Sequence, residues 1–215
     1  MIATFPSLKI DIEKYPAIKK HLLSFGIKRL EQTGKEYKVN DETIKARKKT
    51  TNKWFETQDS ISYWDDFSKQ KILWAETMRI RKENVERFPR FSYTTKPFYA
   101  DKTCFIAVGK DLKYILAFLN STIGRYQFSQ TVSMMDNGGY LMQKIYVEQI
   151  KIYELDEKIK IQLVKLVDSL LEIANDKLAE DLENQIDIVI FKAFGIETHE
   201  QKYLKEILSK PLERG

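Results

Sequence analysis

The sequence predicts an α+β fold, a strand-rich mixed domain with packed helices followed by a C-terminal helical tail. Three observations carry this. Of the 215 residues, 43% are hydrophobic and 31% charged, an ordinary globular balance with enough apolar material for a sizeable core. Between residues 69 and 108, short runs rich in aromatic and β-branched residues are bounded by Gly, Pro, Asp or Lys. Over 157–194 the apolar residues instead recur at three- and four-residue steps, as in Ile159, Leu163, Val167 and Leu170, then Leu178, Leu182, Ile186 and Val189. This change of pattern predicts one domain over 1–152 and a helical tail over 153–215.

In chain order, "YPAIKKHLLSFGIKRLEQTG" sets Ile18, Leu22, Phe25 and Leu30 at roughly helical spacing, with Pro16 in a first turn and Gly34 past the end. It predicts one or two short helices, with an interruption at Gly26. Residues 35–53 are polar and basic without apolar periodicity, which predicts a loop or a loose hairpin around "VNDE". "KQKILWAETM", "RFSYTT", "PFYAD" and "TCFIAVG" predict strands. "DLKYILAFLNST" follows Gly109, has Asp111 as a natural cap and aligns Leu112, Ile115, Leu116 and Leu119, which predicts a helix packed on those strands. The stretch from Gly124 to Leu155 predicts strands again, with "DNGG" as a turn whose Asn-Gly pair accepts positive φ. Across Asn175-Asp176 the apolar phase is almost unbroken, so one long helix and a helical hairpin both remain open. "GIETHEQKYLKEIL" predicts a last short helix beyond the Gly195 stop.

Several chemistries lack raw material. No apolar run approaches the roughly 18 residues of a membrane span, and the N-terminus has no signal-peptide layout, so the expected location is cytoplasmic. The lone Cys104 offers no internal disulfide, and His21 and His199, far apart, read as surface or helix-end histidines. Only 8 glycines are present, and none forms the Gly-rich turn of a cofactor-binding strand–helix junction. "EYK" at 36–38 and "EQK" at 200–202 match a fragment of a metal-nuclease motif, but such triplets arise freely in a chain this rich in Glu and Lys. Asn120-Ser121-Thr122 fits a glycosylation sequon, yet it reads more simply as the cap at a helix end.

Charge is unevenly spread. Residues 1–53 hold 13 Lys and Arg against 6 Asp and Glu, residues 54–150 hold 13 against 11, and residues 151–215 hold 10 against 14. The first two thirds therefore suit an acidic polymer, and the acidic tail is expected to stay clear of that face. In "IKARKKTTNKWFETQDSISYW" dense positive charge abuts Trp54 and Phe55. Lysines there neutralise phosphates, whereas Arg, Asn and Gln can read base edges. Lys45, Lys48, Lys49, Lys53, Lys82 and Lys96 are the expected phosphate contacts. Arg47, Asn52, Gln58, Arg79 and Arg81 are the expected base-edge readers, with Thr50 in the same polar set. Trp54 anchors the loop in the core or stacks on a base, and the bland alternative for the whole stretch is a solvated face with core aromatics. A second basic stretch, "MRIRKENVERFPRF", adds Arg87 and Arg90.

Four blocks carry a family resemblance: "IATFPSLKIDIEKYPAIKKHLLSFGIKRLEQTG", "RKKTTNKWFETQDSISYWDDFSKQKILWAE", "CFIAVGKDLKYILAFLNST" and "LENQIDIVIFKAFGI". In order and content they resemble the TaqI-like C-terminal specificity domain of the single-chain type IIG restriction-modification methylases. The resemblance implies a target recognition domain that binds double-stranded DNA sequence-specifically. It implies a parent enzyme in which other domains cleave DNA and transfer a methyl group from S-adenosylmethionine to adenine. The family's Asn-Pro-Pro-Tyr motif is absent, so the chain reads as a C-terminal fragment without catalytic activity. In that reading no cofactor belongs to these residues, and S-adenosylmethionine and a divalent metal belong to the missing domains. The expected partners are DNA and the parent's methyltransferase domain, braced by the tail helices, with no membrane. After "KILWAE" the chain continues through a longer, more basic stretch than the family pattern, so base contacts are not transferred individually. The competing class is a basic protein-interaction module that binds no nucleic acid.

Overall fold

Gly26 divides the first helical segment because its backbone takes a φ of 86°, a left-handed value unfavourable for any side chain. The computed structural model, which describes residues 2–79, 87–135 and 139–209, therefore shows two short helices here, α1 (Pro16–Leu23) and α2 (Ile27–Leu30). Pro16 occupies the first turn of α1, where its missing N–H costs nothing. A hairpin follows, β1 (Glu36–Val39) with β2 (Glu42–Lys45), whose register pairs Val39 with Glu42. The two residues between, Asn40 and Asp41, both have positive φ, as a two-residue hairpin turn needs. These elements belong to the first of two compact units, Met1–Trp64.

The second unit, Asp65–Gly215, holds the remaining strands and helices. Strands β3 (Lys71–Ala75), β4 (Thr77–Arg79), β5 (Ser92–Thr94) and β6 (Cys104–Ala107) form in the stretch whose aromatic and β-branched runs predict them. β3 lies between β5 and β6 in an antiparallel sheet. "PFYAD" makes no strand: Pro97 has no N–H to give a ladder, the Phe98 N–H turns back to the Lys96 carbonyl, and Phe98 and Tyr99 are exposed.

Ile72 and Trp74 of β3 face a buried layer built on α3 (Leu112–Asn120). Trp74 stacks on Phe105 at 5.4 Å and donates its indole N–H to the Met142 carbonyl at 2.9 Å. Asp111 precedes α3 in a left-handed conformation, and its side chain makes no cap hydrogen bond, contrary to the expectation for that residue. Asn120 ends α3 and bonds the Phe91 backbone with both amide atoms.

Residues 122–131 are helical, α4 (Thr122–Thr131), where the sequence predicts a strand. Two local facts override the apparent alternation. The Ser121 hydroxyl caps the helix by accepting from the Gly124 N–H at 3.1 Å, and the buried Gly124 and Phe128 lie four residues apart on one helical face. Only glycine fits at 124, because a Cβ there would lie 2.0 Å from the Phe118 carbonyl oxygen. The sequon-like triplet is thus the α3–α4 junction. Strand β7 (Gly139–Leu141) pairs with β4 and is followed by α5 (Lys144–Val147). The expected "DNGG" turn falls on residues 136–138, which lie outside the described residues.

The tail is a pair of helices, α6 (Glu157–Glu172) and α7 (Asp176–Phe194), followed by α8 (Thr198–Ser209). Ile173 leaves helical geometry, and the Asn175 side chain then caps α7 by accepting from the Leu178 N–H, which resolves the open choice in favour of two helices. Leu163 and Val167 of α6 and Ile186 and Ile190 of α7 are buried in the same cluster as β3 and α3. The compact units divide at Trp64/Asp65, and α6 and α7 contribute to the second core, whereas the change of pattern places a boundary at 152/153. Among the described residues no helix is long and apolar enough to cross a membrane.

Asp187 of α7 fastens the tail to α4. Its buried carboxylate accepts from the Thr122 backbone N–H at 2.7 Å and from the Thr122 hydroxyl, with the Arg125 guanidinium at 3.8 Å. Replacing Asp187 with Ala strands those donors, so Asp187→Ala is expected to cost about 3 kcal/mol in denaturant unfolding. The exposed Asp181→Ala should cost less than about 0.5 kcal/mol. Equal effects for the two variants would contradict this role.

Candidate nucleic-acid interface

The first unit has little apolar material to organise its long loop: its buried hydrophobic residues are Phe5, Ile12, Ala46 and Phe55. Polar groups do that work instead. Residues 46–50 run beside 31–35, with Ala46 N–H on the Lys35 carbonyl, Arg47 N–H on Glu31, Gly34 N–H on Arg47 and Thr50 N–H on Gln32. This pairing turns the Arg47 side chain inward.

The Arg47 guanidinium donates to three backbone carbonyls. Nε bonds Leu30 at 2.8 Å, Nη1 bonds Glu56 at 2.9 Å, and Nη2 bonds Leu30 and Trp54. Burial pushes its pKa down from the usual guanidinium value. Beside it Gln32, only 5% exposed, donates to the carbonyls of Lys53 and Glu56 and accepts from the Thr50 hydroxyl at 2.6 Å. The buried Glu56 carboxylate accepts from the Lys53 N–H at 2.7 Å. Asn52 donates to the carbonyls of Thr57 and Gln58, each at 3.0 Å, and Gln58 donates to Lys48 at 3.3 Å.

Arg47, Asn52 and Gln58, with Thr50, thus knit residues 30–58 together: the Arg47 guanidinium is committed to backbone carbonyls, while Asn52 and Gln58 are half-buried and use their amide N–H groups. The lysines behave as expected for a charged face: Lys45, Lys48, Lys49 and Lys53 are exposed and have no ion pair among the described residues. Lys53 lies 5.6 Å over the Phe55 ring, which is core, while Trp54 is half-buried with its carbonyl held by Arg47. Lys35 and Lys38 join the exposed cations through the hairpin, a contribution that their scattered positions in the sequence do not signal.

Tyr37 ties that hairpin to α2. Its hydroxyl donates to Glu31 at 2.8 Å, and Lys28 sits 4.6 Å over its ring. The Tyr37 hydrogen bond, and after it Lys28, hold the Glu31 carboxyl below its usual value.

The other expected contacts belong to the second unit. Arg79 ends β4, exposed and without an ion pair among the described residues. Lys96 is exposed, and its carbonyl accepts from the fully buried Lys71 ammonium at 2.9 Å. Burial pushes Lys71 down from its usual pKa. Arg81 and Lys82 lie outside the described residues. The acidic tail does not stay clear of the basic stretch: Glu183 of α7 pairs with Arg90 and, at 3.4 Å, with Arg87, and Glu180 lies 4.0 Å from Arg87. α7 packs into the core of this unit, which brings its acidic face to those arginines.

Among the described residues no group of three His, Cys, Asp or Glu side chains is placed to hold a metal ion. No family model and no curated protein matches the chain.

Two outcomes are expected. Arg47→Lys replaces a planar fork, whose donors sit on three nitrogens, by a single nitrogen that cannot reach all three carbonyls at once, and should cost about 2 kcal/mol in unfolding, while Lys48→Ala and Lys49→Ala leave stability within about 0.5 kcal/mol. Unchanged stability in Arg47→Lys would contradict the scaffold role. Because the folded value of Glu31 is depressed, its contribution is present above the ordinary carboxylate value and disappears as pH falls through the lowered one. In Tyr37→Phe the Glu31 carboxyl ¹³C titration midpoint should rise, and an unmoved midpoint would refute the Tyr37 hydrogen bond as the main cause of the depression.

Proposed function

We propose that the chain is a DNA target-recognition module whose first unit grips the phosphate backbone. The observation that carries this reading is the lysine loop. Lys45, Lys48, Lys49 and Lys53 project from a segment fixed by the buried Gln32 and Glu56 and the half-buried Arg47, with no carboxylate paired to them among the described residues. A loop already ordered loses little conformational entropy on binding, and ammonium groups without an ion pair give up no carboxylate partner.

In this reading Arg79 of the second unit remains a base-edge candidate, because its exposed guanidinium is uncommitted among the described residues. Lys96 remains a phosphate contact. The resemblance to type IIG specificity domains supports double-stranded DNA as the polymer and a methyltransferase domain of the same parent chain as the partner. It also supports work in the cytoplasm. Methyl transfer to adenine, with S-adenosylmethionine, and any cleavage, with a divalent metal, belong to other domains, and this chain is no enzyme by itself.

Fluorescence anisotropy with a random-sequence duplex at several salt concentrations tests the proposal. The wild-type chain should bind with a steep inverse dependence on salt. The K45Q/K48Q/K49Q/K53Q variant should lose about 3.6 units of the log K against log[salt] slope, about 0.9 per phosphate contact. Wild-type protein that binds an acidic polypeptide but no duplex would favour the protein-interaction class instead.

A further inference from the structure

The second unit contains a cleft of about 660 Å³, within the size range of small-molecule sites. Its position follows from strand alternation. Ile72 and Trp74 of β3 face the core, so Leu73 and Ala75 face the opposite side of the sheet, across from Ser92 on β5 and Cys104 on β6. The part of this face that lines the cleft carries the small or apolar Leu73, Ala75, Ser92 and Cys104, while Lys71, at the far end of the same face, is buried with its ammonium on the Lys96 carbonyl. Met78 and Phe88 add apolar walls.

Three guanidinium groups, those of Arg79, Arg87 and Arg90, line the same cleft. Arg87 and Arg90 share the Glu183 carboxylate and Glu180 lies 4.0 Å from Arg87, so two carboxylates stand against the three guanidinium groups and orient two of them. Arg79 has no ion pair among the described residues. A cavity lined by apolar side chains on one element and guanidinium groups on another calls for a ligand with the converse division, a flat ring joined to an anion. Guanidinium forks match phosphate oxygens, and an aromatic wall accepts a heterocycle against its face.

We propose that this cleft binds a nucleotide, its phosphate on Arg79 and Arg90 and its base over Leu73 and Ala75 beside Phe88. The same chemistry is offered by a free mononucleotide and by one nucleotide of a strand. The inference stands on the second unit alone and does not depend on the lysine loop.

Cys104, the chain's single cysteine, reports on occupancy because it lines the cleft and is partly accessible. Burial pushes its thiol pKa up, so modification by a disulfide reagent is followed at mildly alkaline pH. Deoxyadenosine monophosphate, a short single-stranded oligonucleotide and a duplex are each tested as protectants, with inorganic phosphate and deoxyadenosine as controls. A bound nucleotide at roughly ten times its Kd should slow Cys104 modification by about tenfold. Arg79→Gln, which breaks no ion pair among the described residues, should raise the Kd for protection about tenfold, so that at the same nucleotide concentration the slowing falls to about twofold, with no change in melting temperature. Protection by mononucleotide and oligonucleotide alike supports the site with either source, and protection by the oligonucleotide alone assigns it to a strand. A thiol protected by none of the ligands, or equally protected in Arg79→Gln, overturns the proposal. If anisotropy still reports duplex binding in that case, the lysine-loop reading survives the loss of the cleft.

Discussion

A single guanidinium organises the first unit. Arg47 reaches the carbonyls of Leu30, Trp54 and Glu56, which come from three separate points of the loop and the helix before it. A half-buried donor set of this kind is costly to leave unpaired, so the positions of those carbonyls and of Arg47 depend on one another. Gln32 repeats the device, joining Thr50, Lys53 and Glu56. With few buried hydrophobic residues in this unit, hydrogen bonds do what apolar packing does in the second one. The consequence for function is a division of labour by side-chain length and charge. The forked Arg47 is consumed by the backbone, and the flexible lysines beside it are left to solvent.

The second unit follows the opposite rule. Aromatic rings and aliphatic side chains from β3, α3, α6 and α7 form one cluster, and polar pins such as Asp187 on Thr122 fix the helices against it. Because α7 is part of this core, its acidic residues fall beside Arg87 and Arg90. The same packing that stabilises the unit tempers its basic stretch and leaves Arg79 as the uncommitted guanidinium of the cleft among the described residues.

Much of the fold was legible in the sequence, for identifiable reasons. Pro16, Gly26 and the Asn40-Asp41 turn act locally, and the period of Leu163, Val167, Ile186 and Ile190 is long enough to declare helices. The α+β class follows from these and from the β3 and β6 runs. The helix over Thr122–Thr131 was hidden because its buried face is only Thr122, Gly124 and Phe128, too small to stand out from the apparent alternation, and because the need for glycine at 124 comes from the Phe118 carbonyl across the helix junction. In the candidate site the lysines were legible as charge and remain exposed. The fates of Arg47, Asn52 and Gln58 were not, because residue type alone does not tell whether a donor meets a base or the chain's own carbonyl. Nor does anything in "EQTG" mark Gln32 as buried: that depends on residues 50, 53 and 56 folding back over it.

A hydrogen-bonded scaffold that presents the lysines should itself take no part in contact with DNA. The sharpest check is the NMR response of side-chain and backbone N–H groups as a duplex is added to the chain. Large shifts are expected at Lys45, Lys48, Lys49 and Lys53, with the Arg47 Nε–H and Gln32 amide resonances nearly unmoved and slow to exchange throughout. A strong shift or loss of protection at Arg47, with the lysines undisturbed, would contradict that division.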